Sequence, residues 1–192
     1  MTELTTGVFY ENFSNEEMPD DALTTVQQLE VNALRIEKRR REKALVYSML
    51  NRILPDYRPL IGYNAYGAPH LTGLEERYLS ISHCSRGVAV AISGIPTGVD
   101  AECQSPRLDR VKSKFLDRRE LEIFDDGADG LLRAWTLKEA AYKAALTPEL
   151  SFFEGIKIYP HAGFYHVEMC GKSYIGRVFF PEKDLCVAVV TP

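Results

Sequence analysis

No apolar run in this chain of 192 residues approaches the roughly 20 residues that a membrane-spanning helix needs. The N-terminal stretch MTELTTGVFYENF has neither the basic region nor the apolar core of a secretory signal, so the expectation is a cytoplasmic protein with no membrane partner. Basic charge is not in excess. With 27 acidic against 23 basic side chains the formal charge is −4, which argues against nucleic acid as a partner. Cysteine is scarce and scattered: Cys84, Cys103, Cys170 and Cys186 contain no Cys-x-x-Cys pair. That excludes a zinc ribbon and speaks against a disulfide framework, leaving the four thiols as expected apolar fillers. A Gly-x-x-x-x-Gly-Lys-Ser/Thr loop is also missing, which excludes a P-loop nucleoside triphosphatase.

What is present is the balance of an ordinary globular protein, with 45% apolar and 26% charged residues. A chain of this length buries roughly 70% of the surface that it exposes when unfolded. Gly7 to Phe13 reads as a strand, and a long helix is predicted from Thr24 to Leu54, stopped by Pro55. Tyr78 to Ser82 and Val88 to Ser93 read as a buried strand pair around a turn at His83 to Gly87. After Gly98–Val99–Asp100–Ala101–Glu102, helices are predicted over Leu108 to Leu116, Arg118 to Phe124 and Gly130 to Leu146. Strands are expected over Glu154 to Tyr159, Phe164 to Met169, Tyr174 to Phe180 and Leu185 to Val190. Each half places helix before strands and ends in an apolar strand, VAVAIS and then LCVAVV. The order predicts an α+β fold made of two similar lobes, residues 1–95 and 96–192.

Four groups of residues can carry chemistry. On a strand, Asp100 and Glu102 sit at i and i+2 and project to one face; two such carboxylates suit a hard cation such as Mg²⁺, or form a solvated pair on an edge. On a helix, Trp135, Glu139 and Lys143 fall at i, i+4 and i+8 along one stripe. Glu139, with Lys138 and Lys143 beside it, can complete a cation site and face a phosphate, or form a plain helix ion pair worth about 0.3–0.5 kcal/mol. Ser80-Ile81-Ser82-His83-Cys84-Ser85-Arg86-Gly87 offers hydroxyl, ring and backbone donors to an anion, or is a polar hairpin turn. Lys38-Arg39-Arg40-Arg41 is a solvated helix face or the seat of a single phosphate.

Their order carries more than any one of them: the basic helix, Tyr66-Gly67-Ala68-Pro69-His70, Leu79-Ser80-Ile81-Ser82-His83, Gly98-Val99-Asp100-Ala101-Glu102, then Trp135-Thr136-Leu137-Lys138-Glu139-Ala140-Ala141-Tyr142-Lys143. Over about residues 37 to 146 this resembles the Sfp-type 4'-phosphopantetheinyl transferases. Their motifs read approximately G-K-P, (F/L)-x-(I/L)-S-H-S, G-(V/I)-D-(I/V)-E and W-(S/T)-x-K-E-(A/S)-x-x-K.

The resemblance implies a pseudo-dimer of two α+β lobes with the active site between them. It implies transfer of the phosphopantetheine arm of coenzyme A to a serine of an apo acyl or peptidyl carrier protein, with Mg²⁺, releasing 3',5'-ADP. Asp100, Glu102 and Glu139 match the metal positions. His83, with Ser82 beside it, matches a contact to coenzyme A phosphate, Lys138 and Lys143 match lysines near the pyrophosphate, and Arg40 and Arg41 are the candidates for the 3'-phosphate. Asp100, Glu139 and Lys143 are the expected catalytic set, with Glu139 as the base, and both lobes in one chain imply a monomer. The chain departs from the pattern at Ala68, where G-K-P has lysine, and at Ala144-Ala145-Leu146-Thr147-Pro148, where a glycine-rich tail is usual. A non-catalytic coenzyme A or carrier-protein binding module of the same fold is the alternative reading, and a Mg²⁺-dependent phosphohydrolase is a further one. The complete acidic set with Lys143 argues against the binding module, which has no need of a metal triad.

Overall fold

The structure, a computed structural model, describes residues 1–14, 22–125, 127–147 and 149–192. It is α+β, built on two antiparallel sheets. The first half contributes β1 (Thr2–Thr5), β2 (Val8–Asn12), α1 (Thr25–Asn32), α2 (Glu37–Ile53), β3 (Ile61–Tyr63), β4 (Pro69–Leu71), β5 (Tyr78–His83) and β6 (Gly87–Ser93). The second contributes β7 (Gly98–Cys103), α3 (Arg107–Val111), α4 (Arg118–Phe124), α5 (Ala128–Ala145), β8 (Ile156–His161), β9 (Phe164–Met169), β10 (Lys172–Glu182) and β11 (Leu185–Thr191). The sheet orders are β1-β2-β6-β5-β4-β3 and β7-β11-β10-β9-β8. Apart from the added edge strand β1, the two orders correspond: in each half the first strand pairs with the last, and the rest follow in reverse. The strands VAVAIS and LCVAVV therefore occupy equivalent places, β6 and β11.

Period-two alternation explains why both are apolar throughout. On β6, Val88 and Val90 pack under α2, while Ala89 and Ala91 face the other way. On β11, Cys186, Ala188 and Val190 pack under α5, while Leu185, Val187 and Val189 face away. The outward sets meet in a third core with Val8, Tyr10, Val99 and Ala101, so each central strand is buried on both faces. The alanines allow the two sheets to approach closely.

The single helix expected from Thr24 to Leu54 is two helices, broken at residues 33–36. In one continuous helix Gln27 and Asn51 would stand about 36 Å apart, at 1.5 Å per residue. Folding α1 back onto α2 brings them into a reciprocal pair, Gln27 Nε2 to Asn51 Oδ1 at 3.0 Å and Asn51 Nδ2 to Gln27 Oε1 at 2.8 Å. Buried amides need such partners, and Thr24 caps the returning helix through its hydroxyl. The helix expected over Leu108 to Leu116 is shorter, α3 followed by one 3₁₀ turn at 112–114. The short strands β1, β3 and β4 lie outside the expected set, whereas α4 and β9 have the expected bounds. Among the described residues, no helix is long and apolar enough to cross a membrane.

Asp117 caps α4 from the outside, accepting the Glu120 amide, while Glu120 accepts the Asp117 amide in return. The Lys157 ammonium, 2.8 Å away, and the Glu120 amide hold the Asp117 carboxyl below the usual carboxylate range. A carboxyl lowered on folding adds stability above its unfolded pKa of about 4, and that stability is lost as pH falls through the folded value. Asp117→Ala is expected to cost about 1–2 kcal/mol at pH 7 in urea unfolding. The cost should shrink toward zero as the pH is lowered to about 2; an equal cost at both pH values would contradict this assignment.

Candidate functional site

The most extensive contact between the two halves lies between β5 and β7, whose partners run in the same direction along both strands. On β5, Ser80 and Ser82 share the face toward β7, while Leu79 and Ile81 pack on the side of α2. Ser80 Oγ accepts the amide of Val99 at 2.9 Å, and Ser82 Oγ donates to Asp100 Oδ1 at 2.7 Å. On β7, Val99 and Ala101 enter the inter-lobe core, which turns Asp100 and Glu102 to the face covered by α5. Helix α5 lies almost in backbone contact there. A Cβ on Gly98 would collide with the Ala140 carbonyl oxygen and the Ala144 amide, so glycine at 98 sets how closely the helix can approach.

That approach brings the expected stripe of α5 over the two carboxylates. Lys143 Nζ donates to Asp100 Oδ1 at 2.8 Å, to the Val99 carbonyl at 3.0 Å and to the Ile81 carbonyl at 3.4 Å. Trp135 Nε1 donates to Glu102 Oε1 at 3.2 Å. Glu139 lies between these two contacts along the stripe, and its carboxyl is pushed up to about 7 by burial, then by the charges of Asp100 and Glu102 against the pull of Lys143. Burial, then Asp100, also raises Glu102. Asp100 Oδ2 is buried with no hydrogen-bond partner. One lysine therefore faces three acids, which leaves negative charge and an unsatisfied oxygen in a half-buried place. Oxygen-only donors of this kind fit a hard divalent cation. The side chains do not stand in a closed cage, however: among the described residues no group of three or more His, Cys, Asp or Glu is gathered to hold a metal ion.

Two cavities lie nearby, one beside Lys143 and one on the first-half side of β5. One of about 590 Å³ opens beside Lys143 and is lined by Tyr66, Ala68, Tyr78, Ser80, Tyr142 and Leu146. The other, about 520 Å³, is lined by Arg39, Lys43, Ile61, Tyr63 and His83. Gly67, Pro69 and Ile81 border both, and the loop that divides them is held by Asn64, whose Oδ1 accepts the amides of Tyr66 and Ala68. The departure at Ala68 thus lies on a cavity wall. So does Leu146, which ends α5 in the left-handed region at φ 51°; Pro148 lies outside the described residues.

Two expectations need correction. Lys138 does not face a phosphate. It is adjacent in sequence to Glu139 but turned about 100° around the helix, and its side chain is fully buried. Its ammonium bonds Glu120 Oε2 at 2.9 Å and the carbonyls of Phe115, Phe152 and Ile156 at 2.6, 2.8 and 2.8 Å. Arg40 and Arg41 are also directed elsewhere, Arg40 to Glu37 and Arg41 to the Phe13 ring and the Ser14 carbonyl. The basic run meets the second cavity through Arg39 instead, whose Nη1 lies 2.8 Å from His83 Nε2 and 3.1 Å from Glu42 Oε2. Glu42 is buried beneath both groups. The sequence placed Arg39 in the basic run but favoured Arg40 and Arg41 and passed over Glu42, yet Arg39, Glu42 and Val46 share one helix face at the spacing of the apolar stripe.

Residues 96–190 match the family model of the 4'-phosphopantetheinyl transferase superfamily. Among solved structures the chain is similar to the Helicobacter pylori holo-[acyl-carrier-protein] synthase in complex with coenzyme A, at 23% identity and a TM-score of 0.42, covering 50% of this chain and 97% of that one. No curated protein matches the sequence.

The Lys143–Asp100 contact can be weighed by a double-mutant cycle. Lys143→Met leaves a buried carboxylate unpaired and should cost about 2–4 kcal/mol, less than a fully buried pair because Lys143 is partly exposed. Adding Asp100→Asn should recover at least about 1 kcal/mol of that loss in urea unfolding; strictly additive costs would show that the pair is not coupled. Lys138→Met leaves Glu120 unpaired in the core and should cost about 3–5 kcal/mol in urea unfolding; a cost under about 1 kcal/mol would show that the ammonium is not needed there.

Proposed function

We propose that this chain, a member of the 4'-phosphopantetheinyl transferase superfamily over residues 96–190, moves the phosphopantetheine arm of coenzyme A onto a serine hydroxyl of an apo carrier protein in the cytoplasm. The observation that carries the reading is the joint placement of Asp100, Glu102, Glu139 and Lys143 on β7 and α5, within the matched segment.

In the reaction the serine oxygen attacks the β-phosphorus of coenzyme A, the bond to the bridging oxygen breaks, and 3',5'-ADP leaves with the electron pair. The obstacle is charge, since a pyrophosphate repels an approaching nucleophile. Asp100, Glu102 and Glu139 are the residues that would hold Mg²⁺, and the bound ion supplies neutralisation of the pyrophosphate and of the leaving group. Lys143, fixed by its two carbonyl contacts, adds a positive charge that needs no reorganisation during the reaction. Glu139 is the carboxylate assigned to accept the serine proton. Arg39 and His83, at the rim of the second cavity, suit the 3'-phosphate end of coenzyme A. The wall of tyrosines and Leu146 in the first cavity suits an apolar or aromatic portion of the ligands.

The test is intact-protein mass spectrometry of an apo acyl carrier protein incubated with the enzyme, coenzyme A and Mg²⁺. A gain of one phosphopantetheine is expected, abolished by chelator. Glu139→Gln should lower turnover about 100-fold or more while coenzyme A still binds. Trp135 is the only tryptophan and donates to Glu102, so Mg²⁺ added with coenzyme A should change its emission, and Glu102→Gln should remove that response. Release of free phosphopantetheine without modified protein would instead indicate a hydrolase, and coenzyme A binding with no transfer to several carriers a binding module.

A further inference from the structure

The chain's cysteines read from sequence as unrelated fillers, but the side-by-side run of β5 and β7 brings two of them together. The partners across this seam, Ser80 with Val99, Ser82 with Asp100 and Ser85 with Cys103, follow one another in the same order along both strands. Continuing the β5 series by two residues gives Cys84, on the face that Ser80 and Ser82 present to β7. Continuing the Val99 and Ala101 series gives Cys103, on the inter-lobe face of β7. Both sulfurs enter the same apolar cluster, Cys84 buried and Cys103 packed against it half-exposed. Ser85, next to Cys84, donates from Oγ to Cys103 Sγ at 3.4 Å. Burial holds the Cys84 thiol above its ordinary range, and contact with the Cys103 sulfur adds to that. The remaining thiols are placed apart: Cys186 lies under α5 in the second-lobe core, and Cys170 is exposed at the β9–β10 turn.

We propose that Cys84 and Cys103 form a redox-modifiable pair, oxidised by a hydroperoxide to a disulfide that staples the two lobes. The more exposed sulfur of Cys103 attacks the peroxide, forming an S–O bond as the O–O bond breaks; sulfur is oxidised by two electrons and the departing oxygen takes a proton. The Cys84 sulfur then attacks that sulfenic acid, the S–S bond forms, the S–O bond breaks and water leaves with the Cys84 proton. A thiol reductant reverses the bond by exchange. Cys84 directly follows His83, and Cys103 directly follows Glu102. The staple therefore fixes the spacing of β5 and β7 at the end of the seam that carries these groups.

The test uses the full chain, reduced and then exposed to hydrogen peroxide or, separately, to oxidised glutathione, followed by alkylation and peptide mapping. A peptide linking residues 84 and 103 is expected in most molecules, reversed by reductant, lost in Cys84→Ser and in Cys103→Ser, and retained in Cys170→Ser. Closing this loop between the lobes should raise the thermal midpoint of the oxidised wild type by roughly 5 °C, with no rise in Cys103→Ser. Each variant's midpoint under reducing conditions shows that it folds. Absence of the linked peptide with both oxidants overturns the proposal, as does oxidation that ends in a sulfinic acid at Cys103 or in dimers joined through Cys170.

Discussion

One ammonium group bridges the two lobes along the seam of β5 and β7. Lys143 reaches from α5 to a carbonyl of β5, a carbonyl of β7 and the carboxylate of Asp100, and so ties the helix to both strands at once. Strand β7 is an edge of its sheet, paired only with β11, so its second side presents backbone groups without strand partners. A polar side chain must meet them, because the alternative is buried, unsatisfied backbone. Ser80 supplies the acceptor for the Val99 amide, and Lys143 supplies the donor for the Val99 carbonyl. The groups that seal the seam are thus the same ones that place a positive charge beside Asp100.

This economy has an electrostatic consequence. Three acids gather near one lysine, and burial keeps water from screening them, so Glu139 and Glu102 both hold their protons more tightly than free glutamate does. A site optimised only for stability would replace at least one acid by an amide or an apolar residue. The excess negative charge is what a positively charged ligand would offset in the proposed reaction.

The α+β class, the two helix–sheet units and the acidic stripe were legible in the sequence because each rests on a short period. Asp100 and Glu102 share a face by the period of a strand, and Trp135, Glu139 and Lys143 share one by the period of a helix. What was illegible depended on long-range partners. Lys138 lies within the same charged run as Glu139, and lysine is seldom fully buried. Only the fold shows that Glu120 and three carbonyls from separate segments converge on its ammonium. The break between α1 and α2 depends likewise on Gln27 finding Asn51 across the turn, which no local propensity encodes. Arg39 is the intermediate case. The buried face of α2, carried back from Val46 through Glu42, points to it, but the composition of the run treats all three arginines alike.

The repeated topology sharpens the question of why the chemistry is not repeated as well. Strands β2 and β7 hold equivalent places, each paired with the last strand of its lobe. Val8 and Tyr10 face the inter-lobe core on β2 as Val99 and Ala101 do on β7. Phe9 and Glu11 therefore stand where Asp100 and Glu102 stand in the second lobe. Phe9 packs on the first-lobe core, and Glu11 is neutralised by Arg52 and the N-terminal ammonium. The first lobe has thus filled its acidic place with core and closed ion pairs, while presenting Ser80 and Ser82 across the seam. The second lobe keeps its acids open. The shared topology gives the two sheets matching outward faces, and the difference between Phe9 and Asp100 makes the seam asymmetric, with the carboxylates on the second lobe alone.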